Sequence, residues 1–140
     1  MKQRGFTVIE LLMAIVFLIS AGTLFFVQKN NIQTAGRDEQ RKTAINAMYY
    51  SLEEGFYVKN KYYPTTVNEK NLTTVDAALF TDPNGVKIGQ TTLTQDELSY
   101  TVASDYRYEP TNCIDGKCKS YTLRGDLENE ADYSKKSRNN

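Results

Sequence analysis

The stretch that decides the fold is Phe6-Thr7-Val8-Ile9-Glu10-Leu11-Leu12-Met13-Ala14-Ile15-Val16-Phe17-Leu18-Ile19-Ser20-Ala21-Gly22-Thr23-Leu24-Phe25-Phe26-Val27. Apart from Glu10, its side chains are apolar or small, with Thr7, Ser20, Gly22 and Thr23 the only interruptions. A run of this length is what an α-helix needs to cross the roughly 30 Å of a bilayer's hydrocarbon. A carboxylate near the start of such a span costs on the order of 2.5 to 3.5 kcal/mol on insertion scales, so Glu10 calls for a partner. Ahead of the span, residues 1–5 form a short leader carrying Lys2 and Arg4. Basic residues flanking a span stay on the cytoplasmic side, which sends the rest of the chain across.

Two ordinary readings fit this segment less well. A secretory signal peptide has an apolar region of about 7 to 15 residues that ends at a small-residue cleavage site. Here the run continues past Ser20, Ala21 and Gly22 through Leu24, Phe25, Phe26 and Val27. A plain signal anchor requires neither a Gly-Phe junction nor an acid inside the span.

Gly5 followed by Phe6, with Glu10 four positions later and an apolar run behind it, resembles the N-terminus of type IV prepilins and their pseudopilin relatives. The resemblance implies cleavage between Gly5 and Phe6 by a membrane prepilin peptidase. That enzyme then methylates the new N-terminal amine of Phe6 and leaves the apolar segment on the mature chain. It also implies that Glu10 pairs with the Phe6 amine of a neighbouring subunit inside an apolar filament core. Low dielectric strengthens such an attraction and makes an unpaired partner expensive, so the pair would set register. The small residues Ala14, Ala21 and Gly22 would let neighbouring helices approach closely. The implied partners are further copies of the chain in a helical filament, the peptidase/methyltransferase, an inner-membrane assembly platform with its ATPase, and the membrane; no cofactor is implied. Many family members carry a proline in the membrane half, where this chain has Val27. The likeness is specific over the first thirty residues and rests on pattern beyond them.

Past the span the helical pattern continues. Ile45, Met48, Tyr49, Leu52 and Phe56 recur at helical spacing, while the residues from 37 to 42 are charged and polar, so one face is meant for a core. No proline occurs between residues 6 and 63. A single helix over residues 6–58 is expected, about 75 to 80 Å long at 1.5 Å per residue, with Gly22 and Gly36 as weak points. It should end before Tyr63-Pro64, because proline disfavours helix at the residue before it.

The expected fold is α+β: a long N-terminal helix packed against a small C-terminal antiparallel sheet, the arrangement of pilins. Residues 1–5 are the leader, 6–27 the membrane half of the helix, and 28–140 an extracytoplasmic domain. Within that domain, residues 28–58 continue the helix, 59–133 hold loop and sheet, and 134–140 form a mobile tail. Thr74 to Phe80 reads as a short helix capped by Thr73 or Thr74, and Asp82-Pro83-Asn84-Gly85 as a turn. Alternation marks strands at Leu98, Tyr100 and Val102, at Tyr106 and Tyr108, and at Tyr121, Leu123 and Leu127. An edge strand is open at 86–88 or 91–93.

Cys113 and Cys118 enclose Ile-Asp-Gly-Lys. In an oxidising compartment such a pair reads as a disulfide, here tying the flanks of a hairpin centred on Asp115-Gly116. Two cysteines without histidine make a poor zinc site, and the Asp82 turn lacks the ligand spacing of an EF-hand, so no metal is assigned.

Lysine plus arginine equals aspartate plus glutamate at 17 each, and losing Lys2 and Arg4 leaves a net charge near −2. That balance shows no dedicated nucleic-acid surface. Histidine is absent, so a serine or cysteine nucleophile lacks its usual base, and no enzyme is read. Asp126, Glu128, Glu130 and Asp132 lie two apart and read as a solvated acidic rim before the tail. The function this supports is a structural subunit of a type IV pilus, a membrane precursor that becomes an extracellular filament serving motility, adhesion or DNA uptake. Two alternatives stay open: a pseudopilin of a type II secretion or competence machine, or a minor pilin or adhesin. In the last, a tyrosine-rich face around Tyr106, Arg107 and Tyr108 would contact a surface or DNA.

Overall fold

A computed structural model describes residues 7–93 and 101–139. The described chain forms two compact parts, one ending at Ala35 and one beginning at Gly36. Helix α1, Val8–Tyr50, runs through both. It passes into a π-helical turn, Ser51–Phe56, and then into α2, Tyr57–Asn60. Lys61 stops the helix by entering the left-handed region at φ 62°, and its N–H closes on the Tyr57 carbonyl at 2.8 Å. Tyr63 is already extended, as a residue before proline should be, and Tyr63–Pro64 forms β1.

The second part is a sheet laid over the helix. β4, Tyr106–Ile114, and β5, Lys117–Gly125, make an antiparallel hairpin. β1 and β6, Tyr133–Lys136, both pair with the other edge of β5, at its two ends. β2, Thr91–Leu93, and β3, Thr101–Ala103, form a separate antiparallel ribbon. The α+β architecture is thus the expected one, with corrections. The strand read around Leu98, Tyr100 and Val102 belongs to the separate ribbon; Leu98 and Tyr100 lie outside the described residues. The edge strand is the one at 91–93. The segment taken as a mobile tail carries β6 over its first residues, because Thr122 to Gly125 still offer an unpaired edge there.

Ala44, Ile45, Met48 and Leu52 form the helix side of the core, facing Tyr63, Phe80, Tyr106, Tyr121 and Leu123. Each fully buried aliphatic side chain of this kind contributes about 1.5 to 3 kcal/mol. Tyr49 and Phe56, expected in the same stripe, sit half-buried at its margin. Tyr49 precedes the π turn and lies at the edge of the helical stripe; at Phe56 the turn contributes, since Tyr57 N–H reaches back five residues to the Leu52 carbonyl, which adds a residue to that turn and rotates the side chains within it. Ser51 and Glu53 turn inward as a result.

Two smaller expectations also change. The short helix is a 3-10 turn at Ala77–Phe80, capped by Asp76, whose side chain accepts from Ala78 N at 2.9 Å; Thr74 instead pairs its hydroxyl with Ser51 at 2.7 Å. Leu127 falls beyond the end of β5, and the inward position is taken by Gly125. The Asp82 turn forms as read, with Gly85 at φ 86° and Asp82 Oδ1 accepting from Asn84 N and Val86 N.

Candidate functional site

The apolar segment begins with a local motif that its sequence fully specifies. Thr7 is the N-cap, and Glu10 stands three residues into the helix. Glu10 Oε2 accepts the Thr7 backbone N–H at 2.9 Å and the Thr7 hydroxyl at 3.0 Å, and Glu10 N–H points back to Thr7 Oγ1 at 3.4 Å. This is a capping box, which satisfies donors that a helix start leaves open. The carboxylate enters it through Oε2 alone; Glu10 Oε1 accepts no hydrogen bond among the described residues. Gly5 and Phe6, where cleavage, methylation and the second half of the Glu10 pair were expected, lie outside the described residues.

Beyond Glu10 the helix solves its own polar problems and leaves its apolar ones open. Ser20 donates to the Val16 carbonyl at 2.5 Å and Thr23 to the Ser20 carbonyl at 2.9 Å, so neither hydroxyl needs water. The large apolar side chains of residues 8–27, by contrast, are 45% to 78% exposed. A Cβ added at Gly22 would meet nothing within 4 Å, so that face is open to close approach. The helix is long and apolar enough to cross a membrane, which is compatible with anchoring.

In the second part, the charged residues of the helix are spent on the sheet. Arg41 is 2% exposed and donates to Asp38 Oδ1, Asp105 Oδ2 and Glu128 Oε1, each at 2.8 Å. Asp38 also accepts the backbone N–H groups of Glu128 and Asn129. Arg37 holds Glu128, Lys42 holds Glu130 at 2.7 Å, and Arg107 holds Asp126. Glu128 and Glu130 of the acidic rim thus clasp the helix and Asp126 pairs with Arg107 on β4, while Glu128, Glu130 and Asp132 lie exposed, as a solvated rim should. Sequence reading missed this; the available signal was that Arg37, Arg41 and Lys42 recur along the helix as the acids do along the chain. Hydrogen bonds from Arg37 and Arg41 hold the Glu128 carboxyl down at about 2. Burial, with Asp82 and Asp126 nearby, pushes Asp105 up in spite of Arg41.

A second buried acid was also missed. Glu53 Oε1 accepts the Tyr121 hydroxyl at 2.8 Å, and the Tyr63 hydroxyl reaches the same carboxylate at 3.0 Å. Near the end of the chain, Arg138 N–H and Asn139 Nδ2 close the carboxylate off at 3.3 and 3.4 Å. Desolvation raises the Tyr63 phenol to about 12.

The tyrosines considered for ligand contact are already occupied. Tyr106 is in the core, Arg107 is paired, and the Tyr108 hydroxyl donates to the Pro64 carbonyl at 2.7 Å. Cys113 and Cys118 form the expected disulfide across the β4–β5 turn, where Asp115 and Gly116 take φ 50° and 77°. Among the described residues no group of three or more His, Cys, Asp or Glu is placed to hold a metal ion.

No family model, characterised protein or solved structure matches the chain. The reading of its function therefore rests on the geometry and on the resemblance of its first residues.

Proposed function

We propose that the chain is a structural subunit of a helical filament of the type IV pilus class, processed between Gly5 and Phe6 and assembled through its N-terminal helix. The observation that carries this is the combination at the helix start. An apolar face is exposed along residues 8–27, next to an acid that among the described residues bonds to Thr7 through one carboxylate oxygen. A bilayer or a bundle of like helices covers such a face. In a bundle, the amine of a neighbour's Phe6 donates to Glu10 Oε1, which accepts no hydrogen bond among the described residues.

Contacts of this kind are heterologous: one surface of a copy meets a different surface of the next, and the series does not close into a ring. The sheet-bearing part, tied by a disulfide, suits the outside of such an assembly and an oxidising compartment.

The deciding experiment is mass spectrometry of sheared cell-surface material, with wild type beside Glu10→Ala. A chain starting at methylated Phe6, abundant in wild-type fibres and retained in the membrane by the variant, is the expected result. Processed chain found only in membranes, together with failure to export another protein on deletion, would favour the pseudopilin reading. An uncut start, or normal fibres from Glu10→Ala, would overturn the proposal.

A further inference from the structure

One face of the β4–β5 hairpin carries an aliphatic side chain among ammonium groups. Ile114 and Lys117 are directly opposed in the register, and Lys119 lies two residues on along β5, so the three share a face. Ile114 is 71% exposed, more than any other large apolar side chain described in residues 36–139, and the disulfide between its neighbour Cys113 and Cys118 holds the turn. Where the helix ends, Tyr57, Lys61 and Tyr62 complete an open cleft of about 580 Å³ against this hairpin. Lys61, Lys117 and Lys119 form no ion pair among the described residues, and Asp115 is the one acid among the described residues of the cleft. A lysine at a helix C-terminus is ordinary, but that account puts no isoleucine in water beside it.

The charge calls for an anionic partner, and the isoleucine decides its class. A nucleic acid would use bare aromatic faces for its bases. Here Tyr57 lies nearly parallel to Tyr63 with centroids 4.8 Å apart, while Tyr62 meets Phe56 edge-on and carries the Lys117 ammonium over its ring at 5.3 Å. A bilayer, by contrast, gains from an aliphatic side chain that enters below its headgroups and from ammonium groups on flexible stems beside lipid phosphates. Tyrosines suit the boundary between the two.

We propose that this face docks on the surface of an anionic lipid bilayer, with Ile114 entering the boundary between headgroups and acyl chains and Lys61, Lys117 and Lys119 on the lipid phosphates. The surface lies in the sheet-bearing part and does not involve Glu10, so it goes beyond the filament reading and stands without it.

The chain has no tryptophan, so Ile114→Trp places a single reporter on the turn. Full-length protein reconstituted in phosphatidylcholine vesicles is mixed with separate vesicles of brominated phosphatidylcholine in which about one lipid in three is phosphatidylglycerol. The expected result is a shift of the emission to shorter wavelength with quenching by the brominated chains, lost at high salt and lost without phosphatidylglycerol. Each lysine contributes about fivefold near such a surface, so Lys117→Ala with Lys119→Ala should weaken vesicle binding about 25-fold. Lys87→Ala with Lys136→Ala removes the same charge elsewhere and should leave binding unchanged. Ile114→Asp, at an exposed position that leaves the fold intact, should also release the vesicles. A reporter that stays in water on the anionic vesicles, equal binding to pure phosphatidylcholine, or an equal loss in the Lys87 and Lys136 control would overturn the proposal. So would salt-sensitive binding that a single-stranded oligonucleotide abolishes without any burial of the reporter, which would make the face a nucleic-acid site. Failure of the filament reading, seen as an uncut start or as normal fibres from Glu10→Ala, leaves the vesicle result standing.

Discussion

The Glu53 carboxylate meets the Tyr121 hydroxyl at 2.8 Å across the helix–sheet interface, with neither side chain more than 4% exposed. The π turn makes the meeting possible, since a regular α-helix at this phase would carry Glu53 toward the margin. Two phenols, a backbone N–H and a side-chain amide surround the acid, and among the described residues no cationic side chain bonds to it. Its place in the core is secured by hydrogen bonds rather than by charge pairing.

Removing that acceptor should therefore be costly. Glu53→Ala strands two buried hydroxyls, and at about 1 to 3 kcal/mol for an orphaned buried donor the loss should reach about 3 kcal/mol. Glu53→Gln keeps an acceptor oxygen and should lose less. Urea unfolding of the full chain in detergent measures both; equal losses for the two variants would mean that shape, not hydrogen bonding, decides at this position.

Arg41 stands in the opposite situation, a buried cation with three carboxylates. Breaking a buried ion pair by removing one partner costs about 3 to 5 kcal/mol, because the acids left behind are uncompensated. Arg41→Ala should lose that much. Arg41→Lys should recover only part, since one ammonium cannot reach Asp38, Asp105 and Glu128 with the planar fork that Arg41 uses. A lysine variant as stable as wild type would contradict this.

The clasp also sets an acid response. Glu128 has its carboxyl lowered from 4.5 to about 2 by Arg37 and Arg41, so the folded state binds its proton less readily than the unfolded chain does. A group of this kind contributes stability above its ordinary value and loses it as the pH falls, here between about 4.5 and 2. Asp105 works in the opposite sense, because burial raises it and acidification relieves that penalty. The unfolding midpoint should fall on acidification through this window, and Glu128→Gln should flatten the fall. An unchanged slope in that variant would place the acid sensitivity elsewhere.

The disulfide closes a loop of six residues, from Cys113 to Cys118. On the chain-entropy account a loop this short contributes about 2 kcal/mol. Cys113→Ala with Cys118→Ala should lose roughly that amount and loosen the turn that presents Ile114. Denaturant midpoints under oxidising and reducing conditions should show the same gap in wild type and none in the double variant.

Much of this was legible in the sequence because periodicity speaks plainly over long elements. The apolar run from Phe6 to Val27, the stripe of Ile45, Met48 and Leu52, and the Tyr63-Pro64 stop are local signals that each read as helix or its end. Asp115-Gly116 between two cysteines is another, and the hairpin formed there. The hidden features depend on contacts far apart in the chain. Arg41 and Glu128 are polar residues that any sequence reading assigns to solvent, yet they lock together across 87 positions. Glu53 was hidden for a different reason: a π turn shifts the helical phase by one residue, and nothing in Ser51-Leu52-Glu53-Glu54-Gly55-Phe56 announces it.

Gly125 offers the sharpest test of the packing. A Cβ built there would sit 3.1 Å from Ile45 Cγ1, tighter than most real Cβ contacts, and at an ordinary 3.6 Å from Cδ1, so Ile45 must give by a few tenths of an ångström. Gly125→Ala should then cost about 1 to 3 kcal/mol through overpacking. Ile45→Ala alone opens a cavity and should cost about 2 to 5 kcal/mol. In the double variant the new methyl enters space that Ile45 has vacated, so the combined loss should be smaller than the sum of the two, by an amount typical of residues in contact. Unfolding midpoints of the four proteins in the cycle measure this coupling. Simple additivity would show that the helix and β5 can move apart at this point, and that the close approach at Gly125 does not fix how the sheet sits on the helix.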